Sequence, residues 1–228
     1  MELDFFAICA HPDDLEVCAG GIFLQAKQAG LRTGAVVLTD GGASGKSAAG
    51  PRRQEALDGA RALGLSYFRQ LDFPDAALQA SQEVIEAVIP HVRATSPRVL
   101  FSMHPEDYHP DHVAASKVAE AVTFTAMLPK WSEDGKTLWH PEALLHFAAD
   151  PRTVQARPDL LFDIRDVMEE KLAACRAHVS QKVEPYAISL SRFNGLLAGC
   201  EYAEGLYIRR ALKVQSIARL FAPGAPAL

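Results

Sequence analysis

Cysteine is scarce in this sequence and widely spaced: Cys9, Cys18, Cys175 and Cys200 form no C-x-x-C pair. That excludes a zinc knuckle, a dithiol redox motif and a disulfide scaffold, and leaves the thiols to be read as buried and reduced. Runs of lysine and arginine are also missing, and the net charge is −5 with a pI near 5.9. Without a positive field to gather nucleic acid or an anionic membrane, a small, weakly charged substrate is the expected partner. No stretch approaches the ~20 apolar residues of a membrane-spanning helix. The opening MELDFFAICAHPDD sets acidic residues before a short apolar run, whereas a signal peptide starts basic, so a cytoplasmic protein is expected. Solenoid-length repeats are absent, and low complexity is confined to the Gly/Ala/Ser-rich stretch 41–50 and the tail APGAPAL.

What is present suits one folded domain. The chain has 228 residues, 49% hydrophobic and 22% charged, enough to bury its own core, and residues 1–228 read as a single domain with 222–228 as a flexible tail. Residues 4–10, DFFAICA, form an apolar run typical of a buried strand. From Leu15 the period changes: Leu15, Cys18, Ala19, Ile22, Phe23 and Ala26 recur at helical steps, with Gly30 beyond them as a C-cap. The alternation continues with strands at 33–40, 67–71 and 98–103 and helices at 52–63, 81–94 and from Pro110 onward. Strands near 143–148 and 160–164, a helix from Arg165 to about His178, a helical stretch near 188–200 and a strand at 205–210 complete the series. This pattern predicts an α/β, doubly wound, Rossmann-like fold with a mostly parallel sheet and helices on both faces. The polar segment 129–142 reads as a loop of the kind that borders a binding site.

In open α/β sheets ligands bind beyond the carboxyl ends of the strands. Two segments there carry chemistry, His11-Pro12-Asp13-Asp14 and His109-Pro110-Asp111-His112. In the first, proline keeps His11 extended while the chain turns into a helix, so one imidazole and two carboxylates converge. Adjacent carboxylates at a buried turn repel unless a cation compensates them. In the second, Pro110 suits the first helical position and His112 lies just inside, able to complete a His/Asp/His set. Three protein ligands and one open position describe a catalytic rather than a structural zinc site, which points to hydrolysis. Water on such an ion has its pKa lowered toward ~7, and Asp13 is the candidate general base. His109 is the candidate for stabilising the intermediate or protonating the departing amine, with Asp111 orienting its ring. A histidine at a strand end is commonly structural and an aspartate before a helix commonly a cap; two such clusters, each after an apolar strand, favour chemistry.

These residues carry a resemblance. With A-H-P-D-D at Ala10–Asp14 and H-P-D-H at His109–His112, the sequence resembles the LmbE/PIG-L deacetylases, which remove acetyl from N-acetylglucosaminyl compounds, over nearly its whole length. The resemblance implies zinc ligands at His11, Asp14 and His112, a general base at Asp13, and a role for His109 at the intermediate. Weaker matches are R-x-x-E at Arg52 to Glu55, Pro74-Asp75, Lys171 with His178–Gln181, and Ala203–Gly205; they imply that Arg52 and Asp75 lie near the sugar. D-Y-H-P-D-H and AEGLYIRR are most similar to the enzymes that deacetylate N-acetylglucosaminyl malate in bacillithiol biosynthesis. Some relatives carry Tyr where this chain has Asp107, so the role of that Tyr does not transfer, and Tyr108 is the nearest substitute. Homo-oligomers are common among such relatives.

Three rivals follow from the same residues. Gly45-Lys46-Ser47 looks like the end of a P-loop, but Asp40 stands where that pattern needs glycine, and AAGP delays the helix. Two histidines and a carboxylate also spell the facial triad of an iron oxygenase, and ferrous iron or another divalent ion suits the same ligands as zinc. The strand–helix alternation disfavours that scaffold. A metal-stabilised sugar-binding module without catalysis would leave Asp13 and His109 without a task.

Overall fold

The apolar runs become the inner strands of one sheet. β1 (Phe5–Cys9), β2 (Thr33–Thr39), β3 (Tyr67–Phe73), β4 (Val99–Met103) and β5 (Ala143–Phe147) lie parallel in the order β3-β2-β1-β4-β5. β1, β2 and β4 are buried almost end to end, the burial that helices on both faces impose on a parallel sheet. The computed structural model describes residues 1–43, 49–131, 139–150, 152–154 and 156–212. Gly45-Lys46-Ser47, residues 132–138 of the loop at 129–142 and the tail 222–228 therefore lie outside the described residues.

α1 (Asp14–Gln28), α2 (Ala49–Leu63), α5 (Met168–Arg176) and α6 (Glu184–Ala198) pack together in one layer, while α3 (Gln82–Thr95) and α4 (Pro110–Thr125) form the other. The doubly wound α/β expectation holds, with a difference at one edge. β7 (Ala203–Ile208) lies antiparallel between β5 and β6 (Leu160–Asp163). Two successive helices, α5 and α6, separate β6 from β7 and bring the chain back reversed. α6 also begins earlier than its apolar spacing predicts, with Pro185 in its first turn, and ends at Gly199 with φ +74.

α1 differs from the expected one-sided helix. It is buried on most of its circumference because α5 and α6 roof it. A Cβ on Gly21 would sit 2.7 Å from Cγ2 of Ile164, so glycine is what allows that close approach. Beneath the roof, the buried Lys171 ammonium donates to Glu204 Oε1 (2.6 Å), the Val17 carbonyl (2.8 Å) and Ser191 Oγ (3.0 Å). Glu204 in turn accepts from the amides of Gly21 (2.8 Å) and Ile22 (2.7 Å). All three ammonium protons and both carboxylate oxygens thus have partners, which is the condition for a tolerable buried ion pair. The lysine and A-E-G matches are joints between α1, α5, α6 and β7.

β1 and β4 are neighbours at the point where the strand order reverses. Their carboxyl ends release His11–Asp14 and His104–His112 into one crevice, the place where doubly wound sheets bind ligands.

Candidate metal centre

Each cluster is set by how its helix starts. Asp13 occupies the N-cap of α1, yet its carboxylate makes no cap hydrogen bond, so the ordinary reason for an aspartate before a helix does not apply here. Asp14, in the first turn, accepts from the His11 amide through Oδ2 at 2.7 Å. At α4, Pro110 is in the first turn and His109 is the N-cap, its Nδ1 accepting from the Asp111 amide at 3.2 Å. Asp111 and His112 then stand on successive positions of the first turn, both buried.

The two starts meet. His11 Nδ1 lies 3.1 Å from His112 Nε2, and Asp14 approaches His112 Nε2 through Oδ1 at 3.2 Å and His11 Nδ1 through Oδ2 at 3.7 Å. Atoms each ~2.0–2.1 Å from one tetrahedral zinc ion stand ~3.3 Å apart, so this donor set has the spacing that an ion of that size needs. The opposite nitrogen of each ring is backed by carboxylate. His112 Nδ1 is 3.0 Å from Asp107 Oδ1, and His11 Nε2 is 3.2 Å from both Asp111 Oδ2 and Asp75 Oδ1. This is the outer bracket that fixes the orientation of metal-binding imidazoles.

Among the described residues, His11, His109 and His112 also lie within ligand reach of one another, as do His11, Asp75 and Asp111. The second group surrounds the other face of His11, and its carboxylates are already engaged: Asp75 accepts from the Ala43 amide, and Asp111 from the amides of Ala76 and Leu78. The cluster around His11 Nδ1, Asp14 and His112 Nε2 is the better fit to a cation.

Charge supports the fit. Burial alone would lower the His11 and His112 pKa values, yet Asp14 and the bracketing carboxylates outweigh it and push them up to about 12 and about 9. The same contacts hold Asp14 well below the carboxylate range against the opposing pull of burial. The carboxylates thus demand positive charge in the crevice, which protons supply in the metal-free protein and a divalent ion would supply in their place. His109 behaves oppositely: burial and then the charges of His11 and His112 lower its pKa.

A cavity of about 250 Å³ opens beside the cluster, and His11, Asp13, Arg52, Asp75, His109 and Gln181 line it. Arg52 is buried, with Nη1 3.4 Å from Asp13 Oδ2 and 4.0 Å from Glu55 Oε2, and with Nε donating to the Gly41 carbonyl at 3.2 Å. Gly41 has φ +69, and a Cβ there would fall 2.8 Å from Arg52 Nε and 2.9 Å from Pro12 Cδ. Glu55 is braced by the Ser180 amide (2.8 Å) and hydroxyl (2.7 Å), so the H-x-S-Q match steadies the arginine that faces Asp13.

All eight residues singled out in the sequence reach this crevice, with changes of role. Asp111 does not orient His109 with its carboxylate; that group bears on His11, because the first turn of α4 aims it toward the end of β1, and only its amide fixes His109. Arg52 and Asp75 line the cavity, but both are engaged within the protein, with Asp13 and with His11. Tyr108 is 73% exposed and takes no place in the cluster. The residue that the sequence left unassigned is Asp107, whose Oδ1 backs His112 and whose Oδ2 accepts from the amides of Ala149 (2.9 Å) and Asp150 (3.3 Å).

Comparison with known proteins agrees with this geometry. The diacetylchitobiose deacetylase of Thermococcus kodakarensis is 32% identical over 221 residues, covering 86% of this chain and 79% of that one. The probable N-acetyl-alpha-D-glucosaminyl L-malate deacetylase 2 of Bacillus cereus is 27% identical over 197 residues, covering 79% and 84%. The crystal structure of a conserved protein from Thermus thermophilus superposes with a TM-score of 0.82 at 32% identity, covering 93% of this chain and 97% of that one. Residues 6–123 match the family model described as PIG-L, GlcNAc-PI de-N-acetylase. With that match running through both H-P-D clusters, the chain belongs to the PIG-L family of deacetylases.

Proposed function

We propose that the protein is a zinc-dependent N-deacetylase of an N-acetylglucosaminyl compound, with His11, Asp14 and His112 as the metal ligands. The observation that carries this reading is the meeting of His11 Nδ1, His112 Nε2 and the Asp14 carboxylate within 3.1–3.7 Å at the sheet's switch point. A zinc ion held there supplies Lewis acidity toward water and the acetyl carbonyl. Asp13, free of helix capping and faced by Arg52, lies on the cavity wall outside the ligand set and takes the proton of the attacking water. His109 accepts the Asp111 amide at Nδ1, which places its own proton on Nε2. Its lowered pKa keeps the ring neutral, so Nε2–H acts as a hydrogen-bond donor to the oxygen of the tetrahedral intermediate. Arg52 and Asp75 shape the sugar's side of the cavity. Ferrous iron or another divalent ion suits the same donors.

The substrate is a small amino sugar, and a cytoplasmic setting accords with four cysteines that are all unpaired. The relatives suggest two compounds to try, N,N'-diacetylchitobiose and N-acetylglucosaminyl malate, the second also favoured by the D-Y-H-P-D-H segment. The test is acetate release from each, and from N-acetylglucosamine, by protein with measured zinc content. Acetate from at least one sugar is expected. None from any, with zinc bound, would leave a sugar-binding module or a different acyl substrate.

A further inference from the structure

One buried pair takes no part in the metal centre. Glu16 stands three positions after Asp13 in the first turn of α1, and His178 follows the end of α5; both are buried, His178 completely. Glu16 Oε1 lies 3.5 Å from His178 Nε2, beyond the span of a good hydrogen bond. Neither ring nitrogen of His178 nor Glu16 Oε2 has a hydrogen-bond partner among the described residues. We propose that this pair is a positioning device for the base Asp13: it pins the turn 178–182 and, through that turn, the arginine that faces Asp13 and the glutamine in the cavity wall. The proposal rests on the deacetylase reading above and adds to it two residues that act on the base through others.

Three observations carry it. The first is the route from the pair to the base. The His178 carbonyl accepts from the amides of Gln181 (3.0 Å) and Lys182 (3.1 Å), so a fixed His178 fixes both. Within the same turn Ser180 holds Glu55 through its amide and hydroxyl, Glu55 stands 4.0 Å from Arg52, and Arg52 stands 3.4 Å from Asp13. Gln181 reaches the catalytic cavity itself. Glu16 closes the loop, because it belongs to the helix start that carries Asp13 and Asp14.

The second is the space made for the pair. Arg52, Glu55 and Gly59 recur at three- and four-residue steps on one face of α2. A Cβ on Gly59 would collide with Glu16 Oε1 and fall 2.8 Å from His178 Nε2. Glycine inside a helix is less stable than alanine. At position 59 it leaves the room that the pair occupies, on the face of α2 that also carries the arginine and its brace.

The third is that the pair is a poor source of stability. Burial works against a protonated His178, and the charge of Glu16 outweighs it and raises the pKa. Buried polar atoms without partners are a cost that an apolar pair of similar size would not carry. The turn adds strain, since Lys182, with φ +55, is a non-glycine residue in the left-handed region. A costly contact that holds a strained turn has its use in geometry: it fixes where Ser180 and Gln181 stand.

The test is Gly59→Ala, which pushes on the pair, removes no charge and is favoured by helix propensity. On whichever of the three sugars above the wild type turns over, kcat should fall about tenfold or more, since misplacing a group by about 1 Å can cost 10²-fold. KM should stay within about threefold, zinc at wild-type stoichiometry and Tm within about 3 °C. The Arg52 Nε proton, which is donated to the Gly41 carbonyl, should exchange with solvent about tenfold faster by NMR. If alanine at position 59 prevents folding, His178→Leu is read by the same measurements, and failure of both to fold makes the pair a fold element and overturns the proposal. A wild-type kcat, a rise in KM at unchanged kcat, or a kcat that falls only together with Tm also overturns it. If the wild type releases no acetate from any sugar, the deacetylase reading fails, and Arg52 exchange alone decides whether the pair positions the arginine. Unchanged exchange overturns the proposal in either case.

Discussion

Asp107 serves both the proposed metal centre and the fold, and substitution separates the two tasks. In Asp107→Ala the 3.0 Å contact to His112 Nδ1 disappears, and with it the group that fixes the imidazole's tautomer and strengthens it as a ligand. Loss of such a bracketing carboxylate typically weakens metal binding 10–100-fold, or about 1.4–2.7 kcal/mol. The same substitution strips the amides of Ala149 and Asp150 of their acceptor, at a cost of about 1–3 kcal/mol in stability. Asp107→Asn divides these effects. One carbonyl oxygen remains, enough for the two amides or for His112 but not for both, and the NH₂ group faces whichever donor is left. Asparagine should therefore retain most of the stability while losing affinity, and alanine should lose both. Zinc affinity is read by competition with a chromophoric chelator, and stability by thermal unfolding of the metal-free protein. An alanine variant that binds zinc within twofold of wild type would refute the bracket.

Three further outcomes follow from the site and its frame. Asp13→Asn should keep zinc at wild-type stoichiometry and lose 10²–10⁴-fold in kcat, since the carboxylate lies outside the proposed ligand set; elemental analysis beside acetate release decides it, and a variant with near-normal turnover removes Asp13 as the base. Lys171→Met leaves Glu204 charged and buried, which should cost about 3–5 kcal/mol and lower Tm by on the order of 10 °C. Adding Glu204→Gln should recover part of that loss, and a Tm shift below ~2 °C in the single variant contradicts the account. In metal-free protein the raised pKa values of His11 and His112, about 12 and about 9, mean that the pair retains added protonation at neutral pH, with at least one proton held in the 3.1 Å contact between His11 Nδ1 and His112 Nε2. Their protonation stabilises the metal-free fold below pH ~6.5, and the His112 part is lost as pH rises through about 9. Zinc must displace these protons, so its affinity should climb at least tenfold per pH unit between about 6 and 8, with proton release visible by calorimetry in buffers of different ionisation enthalpy. A pH-independent affinity would contradict the protonated resting cluster.

Much of the fold was legible because strands buried on both faces read as unbroken apolar runs, and helices reveal their period. The parallel half, β1 to β5, follows from that pattern alone. The antiparallel insertion of β7 does not, since nothing in AEGLYI specifies which edge it joins; that choice is made by α5 and α6 and by the Glu204–Lys171 pair, whose partners are distant in sequence. The same limit applies to the site. His11, Asp14 and His112 were recognisable because proline and helix starts give local motifs their direction. Asp107 was not, because its two tasks, backing His112 and receiving the Ala149 and Asp150 amides, exist only once β4 and β5 lie side by side. The engagement of Arg52 with Gly41 and Asp13 was not legible for a related reason: it depends on the end of β2 meeting the end of β1.

The contiguity of His109-Pro110-Asp111-His112 has a geometric reason. Successive residues of a helix point about 100° apart, so Asp111 and His112 leave the first turn of α4 in directions that straddle one ring. Asp111 reaches His11 Nε2 at 3.2 Å and His112 reaches His11 Nδ1 at 3.1 Å. His109, held outside the helix by Pro110, lies edge-on to the same imidazole with ring centroids 4.6 Å apart. One helical turn thus grips a single histidine from both nitrogens and one face. α1 answers with the same device: Asp13 at the cap makes no cap hydrogen bond and faces Arg52, while Asp14, one position on, turns toward the imidazoles. Carboxylates at both helix starts also sit where backbone dipoles favour negative charge, which helps to hold Asp14 and Asp111 ionised beside the two histidines. A residue inserted between Asp111 and His112 would swing His112 by about 100° and leave His11 with a carboxylate but no second imidazole. The short motif is therefore as long as the clamp requires and cannot be longer.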